Sequence, residues 1–272
     1  MRRAPTRDGQ RAAGYFSPPL PRLLAHRGLA TEHIENTLPA FRAAVDRGAT
    51  YVECDVHCSS DGIAMVAHDP DLKRLLGVDG AVEQYSAASL GALDLGEGVG
   101  FPSLLETLRA FPHTRFNIDV KSQAAALPAA GAILAASAAD RVLVTSFSDR
   151  RRTATVNAVA AGSAGGLRPA TSASARTLLL ALVAATLRLG PAARWLLRNV
   201  DAVQAPETAL RMRVTAPRVL SIIHSAGVEV HIWTVNDPER MRELLALGVE
   251  GIITDRVDIA LSPSVTGNPK AL

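Results

Sequence analysis

"YVECDVHCSSDGIAMVAHDP" (51–70) contains two strand-like runs separated by the dipeptide Asp61-Gly62. Asp-Gly is a strong signal for a two-residue hairpin turn, because that turn requires positive φ angles. The connection between the two runs is also far too short for a parallel crossover, which needs a dozen residues or more. The stretch therefore predicts an antiparallel hairpin.

The hairpin decides how the other strands are counted. Strand-like runs lie at 22–28, 50–58, 63–69, 115–121, 141–147, 164–167, 201–206, 228–236 and 249–255. Helical stretches separate most of them, at 37–47, 103–111, 123–138, 149–161, 176–198, 214–226 and 238–247. With 63–69 assigned to the hairpin, eight alternating strands remain, which predicts an α/β fold of the TIM (β/α)8 barrel type with a small insertion after His68-Asp69.

Composition agrees with one barrel domain. The chain has 272 residues, of which 48% are hydrophobic and only 4% aromatic, so the core must consist of Ala, Leu and Val. We predict a flexible basic leader at 1–21, a single barrel domain at 22–258 with its insertion at about 70–102, and a C-terminal tail at 259–272. The net charge of +3 is small, and no nucleic-acid partner is expected.

Two further features of the sequence allow different interpretations. Cys54 and Cys58 could bind zinc, but period-two alternation places them beside Val52 and Val56 as small apolar core residues. With two cysteines and no secretory pattern, a cytoplasmic location is expected. The apolar stretch 174–199 predicts a buried helix pair in the outer layer, or alternatively an amphipathic surface that rests peripherally on a membrane.

The same alternation concentrates chemistry on one face of the hairpin. Glu53, Asp55 and His57 are spaced two apart and share a face. If Asp61 and Gly62 are the central turn residues, His68 lies opposite Asp55, and a turn centred one residue earlier places it opposite Glu53. Either register brings carboxylates and an imidazole together.

Other strands end in matching polar residues. Because barrel chemistry lies at the carboxyl ends of the strands, Glu53, Asp55 and Asp119 are expected to form an oxygen-only site for Mg²⁺ or Ca²⁺. Lys121 could alternatively serve as their counter-ion. Arg27 and Lys121 are candidates for binding a phosphate, and His26 and His68 for general acid and base. Together these groups indicate phosphodiester cleavage.

The motifs "AHRGLATEHIENTLPAF" (25–41), "VECDVHCSSDGIAMVAHDPDL" (52–72), "FNIDVK" (116–121) and "WTVND" (233–237) resemble those of the glycerophosphodiester phosphodiesterases. The resemblance implies His26 and His68 as the acid/base pair, Arg27, Lys121 and Glu35 at the phosphate, and Trp233 at the alcohol pocket. It also implies a divalent metal at Glu53, Asp55 and Asp119, although Asp119 stands where the family often has Glu.

The resemblance implies metal-dependent hydrolysis of a small glycerophosphodiester to glycerol 3-phosphate and an alcohol. A lipid phosphodiesterase of the lysophospholipase D or sphingomyelinase D type is the alternative within the same chemistry. An alternative of another class is a non-catalytic, membrane-associated binding protein that kept the barrel and lost turnover.

Overall fold

The computed structural model describes residues 14–96, 98–209 and 211–267. Its strands are β1 (Arg22–Ala25), β2 (Tyr51–Cys58), β3 (Ala64–Val66), β4 (Arg115–Val120), β5 (Val142–Thr145), β6 (Ala170–Thr171), β7 (Ala202–Ala205), β8 (Thr208–Ala209), β9 (Met212–Arg213), β10 (Glu229–Ile232) and β11 (Gly251–Thr254).

The helices are α1 (Leu38–Asp46), α2 (Lys73–Leu76), α3 (Ala87–Ala92), α4 (Leu104–Ala110), α5 (Ala126–Ala135), α6 (Asp149–Gly162), α7 (Ala175–Thr186), α8 (Gly190–Leu196), α9 (Pro217–Ser225), α10 (Pro238–Ala246), α11 (Val257–Ala260) and α12 (Pro263–Thr266). Capping residues explain several helix starts: the side chains of Thr37, Ser148, Ser174 and Asp237 each accept a hydrogen bond from an amide in the first turn.

The parallel strands form a nearly closed barrel, as the alternation of strands and helices predicted. Hydrogen-bonded neighbours follow the order β6-β5-β4-β2-β1-β11-β10-β7. The remaining gap between β6 and β7 is bridged by a parallel contact of Ser172 with Ala202. The barrel fold brings the carboxyl ends of all eight strands to one mouth, where helices and loops enclose the site.

The predicted sixth strand at 164–167 is wrong. Residues Ala164–Gly166 form a short 3₁₀ turn, and the strand is β6, two residues long. Gly165 and Gly166 have φ angles of +69° and +71°, which strand backbone does not adopt. A two-residue strand also carries too little alternation to be recognised in a sequence.

The hairpin of β2 and β3 is antiparallel as predicted, but neither proposed register is correct. His57 pairs with Met65 and Val56 with Val66, so the loop contains three residues instead of two. Of the dipeptide Asp61-Gly62, only Gly62 has a positive φ, at +80°, and its amide donates to the carbonyl of Ser59. This is the turn-plus-bulge connection that a left-handed glycine permits.

This register would continue by placing His68 level with Cys54, on the face away from the carboxylates. β3 ends at Val66, however, and the chain leaves the strand before His68. The strand end, and not the pairing, therefore determines where this imidazole lies.

Described residues on both sides of the predicted barrel domain pack on the barrel. Of the predicted leader 1–21, residues 1–13 lie outside the described residues. Tyr15 is fully buried, and its carbonyl accepts a hydrogen bond from the hydroxyl of Tyr51. In the predicted tail, Val265 is buried against the barrel core, whereas residues 268–272 lie outside the described part.

Cys54 and Cys58 are free and buried in the core cluster that also contains Val52 and Val56, as the packing interpretation predicted. The stretch 174–199 forms α7 and α8, two helices separated at residues 187–189. Within the described ranges, none of the helices combines the length and hydrophobicity needed to cross a bilayer.

Candidate active site

A cavity of about 840 Å³ opens at the carboxyl ends of the barrel strands. Its lining contains nearly all the residues singled out from the sequence: His26, Arg27, Glu53, Asp55, His68, Asp119, Lys121 and Trp233. Glu35 does not line the cavity. The polar side chains form its floor, and one wall is apolar.

The carboxylates of the floor come from two adjacent strands. In the pairing of β2 with β4, Asp55 is the partner of Asp119, and Glu53 is the partner of Asn117. All four residues are at most 6% exposed. Parallel partners on one face of a sheet project together, so the register concentrates three acids in a small buried volume.

Lys121 lies between two of these acids. Its Nζ is 2.8 Å from Oδ1 of Asp55 and 2.8 Å from Oδ2 of Asp119. The counter-ion alternative from the sequence therefore describes these two contacts correctly. Asn36 adds a third polar partner at this point, because its amide nitrogen donates to Asp55 Oδ2 over 3.0 Å.

The three acids differ in their affinity for a proton. Burial and the neighbouring Asp55 raise the pKa of Glu53 to about 8. Burial also raises the pKa of Asp119, whereas for Asp55 the charges of Lys121 and Arg27 outweigh burial and lower the pKa. Without a further cation, the floor thus holds more acid than its bases neutralise.

Some oxygen atoms of the floor lack a partner. Among the described residues, nothing hydrogen-bonds to the buried Oδ1 atoms of Asn117 and Asp119. Unpaired buried acceptors are costly, and a hard cation is one way to satisfy them. The described side chains do not form a ready-made cluster of three or more metal-binding His, Cys, Asp or Glu groups, since Lys121 holds two of the acids. The donor atoms therefore suit a hard cation, but the three acids are not arranged around one.

His26 is oriented by a carboxylate that the sequence analysis did not single out. Its Nδ1 lies 2.7 Å from Oδ1 of Asp255, which follows β11, and its Nε2 lies 4.0 Å from Oε2 of Glu53. Asn236 donates to the other oxygen of Asp255 over 2.8 Å. Burial lowers the pKa of His26, but the hydrogen bond to Asp255 and the charge of Glu53 raise it to a net value above normal.

His68 has a similar carboxylate partner. Its Nδ1 lies 2.7 Å from Oδ1 of the adjacent Asp69, which is itself paired with Arg74. His57, expected on the site face, does not line the cavity, and its Nε2 lies 3.2 Å from the carbonyl oxygen of His68. In both cavity histidines a carboxylate binds Nδ1, which leaves Nε2 as the nitrogen available for proton transfer.

Arg27 is held by acids on two sides. Its Nη1 donates to Oε1 of Glu35 over 3.0 Å, and its Nε is 3.3 Å from Oδ2 of Asp55. Its backbone amide donates to Glu53 over 3.1 Å. The next residue must be Gly28, because a Cβ there would lie 2.7 Å from the backbone of Ala40 in α1. The tight turn is what aims the guanidinium at the cavity.

The apolar wall of the cavity comes from α7 and from the β8–β9 hairpin. Leu178, Leu179 and Leu182 contribute from α7, and Met212 from β9. Trp233 and Phe147 complete the wall, with their rings in an edge-to-face contact at 6.3 Å between centroids. The stretch 174–199 thus supplies part of the cavity wall as well as outer-layer helices.

Asp255, Asn36 and Asp69 are the site residues that sequence reasoning missed. Asp255 closes the motif "GIITD" at the end of the last barrel strand, and this strand-end position was the signal that could have identified it. Asp69 would point away from the site if the strand alternation of 63–69 continued to its end, but β3 ends at Val66.

The sequence matches the model of the glycerophosphoryl diester phosphodiesterase family over residues 26–259. It is 36% identical over 237 residues to a probable glycerophosphodiester phosphodiesterase 2 of Mycobacterium tuberculosis, which covers 87% of this chain and 88% of that protein. A lysophospholipase D of Homo sapiens is 37% identical over 111 residues, covering 36% of this chain and 35% of the human protein.

The fold is similar to that of an Oleispira antarctica phosphodiesterase solved in complex with its product sn-glycerol-3-phosphate. The TM-score is 0.69 at 22% identity, covering 92% of this chain and 97% of the other. At 22% identity, this similarity supports the fold alone.

Proposed function

The chain belongs to the glycerophosphoryl diester phosphodiesterase family, and from this premise we propose that it cleaves its substrate with His26 and His68 as the proton-transferring pair and with a divalent cation at the carboxylate floor. Its activity is that of a glycerophosphodiester phosphodiesterase, a phosphoric diester hydrolase with a small-molecule substrate. The alternative of a barrel without turnover is therefore set aside.

The assignment of His26 and His68 as the proton-transferring pair rests on one observation. Two imidazoles line the same cavity, and each has its Nδ1 bound to a carboxylate, Asp255 for His26 and Asp69 for His68. A carboxylate at Nδ1 fixes the tautomer and the ring orientation, and stabilises the charged imidazole that forms during proton transfer. Such paired histidines suit a reaction that needs one proton removed and another delivered.

The reaction breaks the bond between phosphorus and the alcohol oxygen. One imidazole accepts the proton of the attacking oxygen, which belongs to water or to the neighbouring glycerol hydroxyl, and the new bond to phosphorus forms. If the hydroxyl attacks, the product is a cyclic phosphate, which water then opens to glycerol 3-phosphate. The other imidazole donates its proton to the departing alcohol oxygen. Arg27 and Lys121 bring positive charge to the non-bridging phosphoryl oxygens, although both must share it with the acids that they contact.

Glu53, Asp55 and Asp119 would hold the cation, with the unpaired oxygen of Asn117 beside them. The donor set supports a hard ion such as Mg²⁺ or Ca²⁺, because it offers only oxygen and contains two buried acceptors without partners. When bound, such an ion would neutralise charge on the phosphoryl group. The close contacts of Lys121 mean that ion and ammonium would compete for Asp55 and Asp119.

The direct test is an assay of glycerophosphocholine hydrolysis with and without a chelator. The release of glycerol 3-phosphate measures the reaction. We expect activity that the chelator abolishes and that either Mg²⁺ or Ca²⁺ restores. Activity that is unaffected by exhaustive chelation would show that the carboxylate floor works without a metal.

A second candidate substrate is a lysophospholipid, and the apolar wall of the cavity favours it. Leu178 and Leu179 offer a surface that a deacylated, fully polar diester cannot use. A substrate with an acyl chain would bury that chain against these leucines while its phosphate reaches the histidines.

The discriminating measurement is the ratio of activities on lysophosphatidylcholine and glycerophosphocholine. Leu179→Gln should reduce kcat/KM for the lysophospholipid about tenfold and leave the deacylated substrate nearly unchanged. Leu127→Gln, on the exposed side of α5, is the matched control. Equal losses on both substrates would argue against an acyl-binding wall.

A further inference from the structure

The α7–α8 hairpin exposes large apolar side chains. Leu180, Val183 and Leu187 are 42%, 39% and 63% exposed, Leu189 in the connection is 52% exposed, and Trp195 of α8 is 61% exposed. These five residues are called the apolar patch below. Large apolar side chains scattered singly are ordinary on protein surfaces, but five within one helical hairpin form a candidate binding surface.

The arrangement within α7 shows that the patch is separate from the barrel core. At 100° per residue, Arg176, Leu180 and Val183 of α7 and Leu187, the residue that caps its C-terminus, fall within about 60° of one another around the helix axis. Ala181, Leu182 and Ala185 lie on other sides of the helix and are buried in the barrel's outer core. The helix is therefore apolar on two faces, of which only one is used by packing within the described chain.

The charge along the α7–α8 hairpin has a single sign. Residues 174–200 contain four Arg and not one Asp, Glu or Lys, whereas the whole chain carries a net charge of only +3. Arg176, Arg188, Arg194 and Arg198 are exposed along α7 and α8. The guanidinium of Arg198 lies over the Trp195 ring, 3.9 Å from its centroid. Leucines, an exposed tryptophan and surrounding arginines are the composition of a surface that enters the headgroup region of an anionic membrane.

The helix that carries part of the patch also lines the cavity. Leu178, Leu179 and Leu182 of the same helix line the cavity. Phe147, which is 56% exposed and lines the cavity as well, accepts a hydrogen bond at its carbonyl from the amide of Ala175, the first residue of α7. A flat surface that contacts the patch would therefore lie next to the cavity opening.

From these observations we propose that the α7–α8 hairpin docks the protein onto bilayers that contain anionic phospholipid. Leu187, Leu189 and Trp195 insert among the headgroups, and the arginines bind lipid phosphates. Docking would place the cavity mouth at the bilayer, where a single-chain phospholipid could enter without crossing water. That last step rests on the lysophospholipid candidate above, whereas docking itself does not.

The test is flotation of the full-length protein with vesicles of phosphatidylcholine alone and of phosphatidylcholine mixed with phosphatidylglycerol. We expect binding to the mixed vesicles that is at least tenfold stronger than to the neutral ones and that weakens as salt is added. Combining Leu187→Ser, Leu189→Ser and Trp195→Ser should reduce binding at least tenfold, and Arg188→Gln with Arg194→Gln should remove the preference for the anionic lipid.

Leu127→Ser is the matched control, because Leu127 is 65% exposed on α5 yet lies outside the patch. None of the substituted residues lines the cavity, so hydrolysis of glycerophosphocholine should stay near the wild-type rate in every variant. That measurement also confirms folding and separates failure of docking from failure of the proposed catalytic function.

The proposal is overturned if the wild type does not bind the mixed vesicles, or if the triple variant binds them as well as the Leu127 control does. Sedimentation in the absence of vesicles tests whether a second copy of the chain, instead of a membrane, covers the apolar patch. A wild-type dimer that the triple variant converts to a monomer would identify the patch as a subunit interface and exclude the docking role.

Discussion

Nδ1 of His26 lies 2.7 Å from Oδ1 of Asp255, across 229 residues of sequence. The contact joins the end of β1 to the end of β11, which are adjacent parallel strands in the barrel. Asp255→Asn should lower kcat about 10- to 100-fold with little change in KM, because the substituted side chain no longer stabilises the charged imidazole. Steady-state kinetics on glycerophosphocholine would measure kcat and KM separately. An increase in KM alone would instead indicate that Asp255 has a role in substrate binding.

His26 and His68 should each be required for turnover. Replacing either by Ala should cost about 10²-fold or more in kcat, which is typical of a positioned proton-transfer group. The double variant should lose less than the product of the two single losses, because groups that act together are not additive. Independent, multiplying losses would mean that the two histidines serve separate steps.

His57 provides the control for this pair. Its ring contacts the backbone carbonyl of His68 and not the imidazole, so His57→Ala should cost less than about tenfold in kcat. Loss of activity in His57→Ala together with near wild-type activity in His68→Ala would reverse the assignment of the two residues.

Glu53→Gln should stabilise the metal-free protein. Burial and the neighbouring Asp55 raise the pKa of Glu53 from 4.5 to about 8, so the folded state binds this proton more tightly than the unfolded state does. The free energy of unfolding therefore falls as pH rises from 4.5 toward 8, and at pH 7 keeping this carboxyl neutral in the folded protein costs about 1 to 3 kcal/mol. Glutamine removes the cost.

Urea unfolding in the presence of a chelator would measure the difference at pH 7 and at pH 5, where it should be much smaller. The same variant should lose stabilisation by added Mg²⁺ or Ca²⁺. Should the variant be less stable than the wild type at pH 7 without metal, Glu53 would have to be charged and paired in the folded protein.

At the opposite end of the barrel, Glu229 should stabilise the protein in a pH-dependent way. Burial raises its pKa, but hydrogen bonds from Arg22, at 2.7 Å, and from His231, at 3.1 Å, outweigh burial and lower the pKa to about 2. The contribution is complete above pH 4.5 and is lost as pH falls from 4.5 toward 2, with a size of no more than about 3 kcal/mol.

Unfolding free energies measured between pH 6 and pH 3 should therefore fall more steeply for the wild type than for Glu229→Gln. Glu239→Gln is the control, because the side chain of Glu239 is 75% exposed on α10. Parallel pH profiles for the wild type and Glu229→Gln would show that this carboxyl titrates normally in the folded protein.

The order of strands and helices, the antiparallel hairpin and most of the cavity residues were predictable from the sequence alone. Each depends on local information: apolar alternation, the length of a connection, and a polar residue at the end of a buried strand. Parallel strands of a barrel place their carboxyl ends together. The polar residues at the strand ends were therefore sufficient to predict that His26, Glu53, Asp55 and Asp119 lie in one site.

Other features were decided only by the tertiary structure. A glycine with positive φ at residue 62 set a loop of three residues, and the early end of β3 then carried His68 to the cavity by a route that strand alternation does not predict. The pairing of His26 with Asp255 and the position of Lys121 between two acids depend on how the strands align side by side. The two apolar faces of α7 look alike in the sequence, because hydrophobicity alone does not indicate which face the barrel covers and which it leaves exposed.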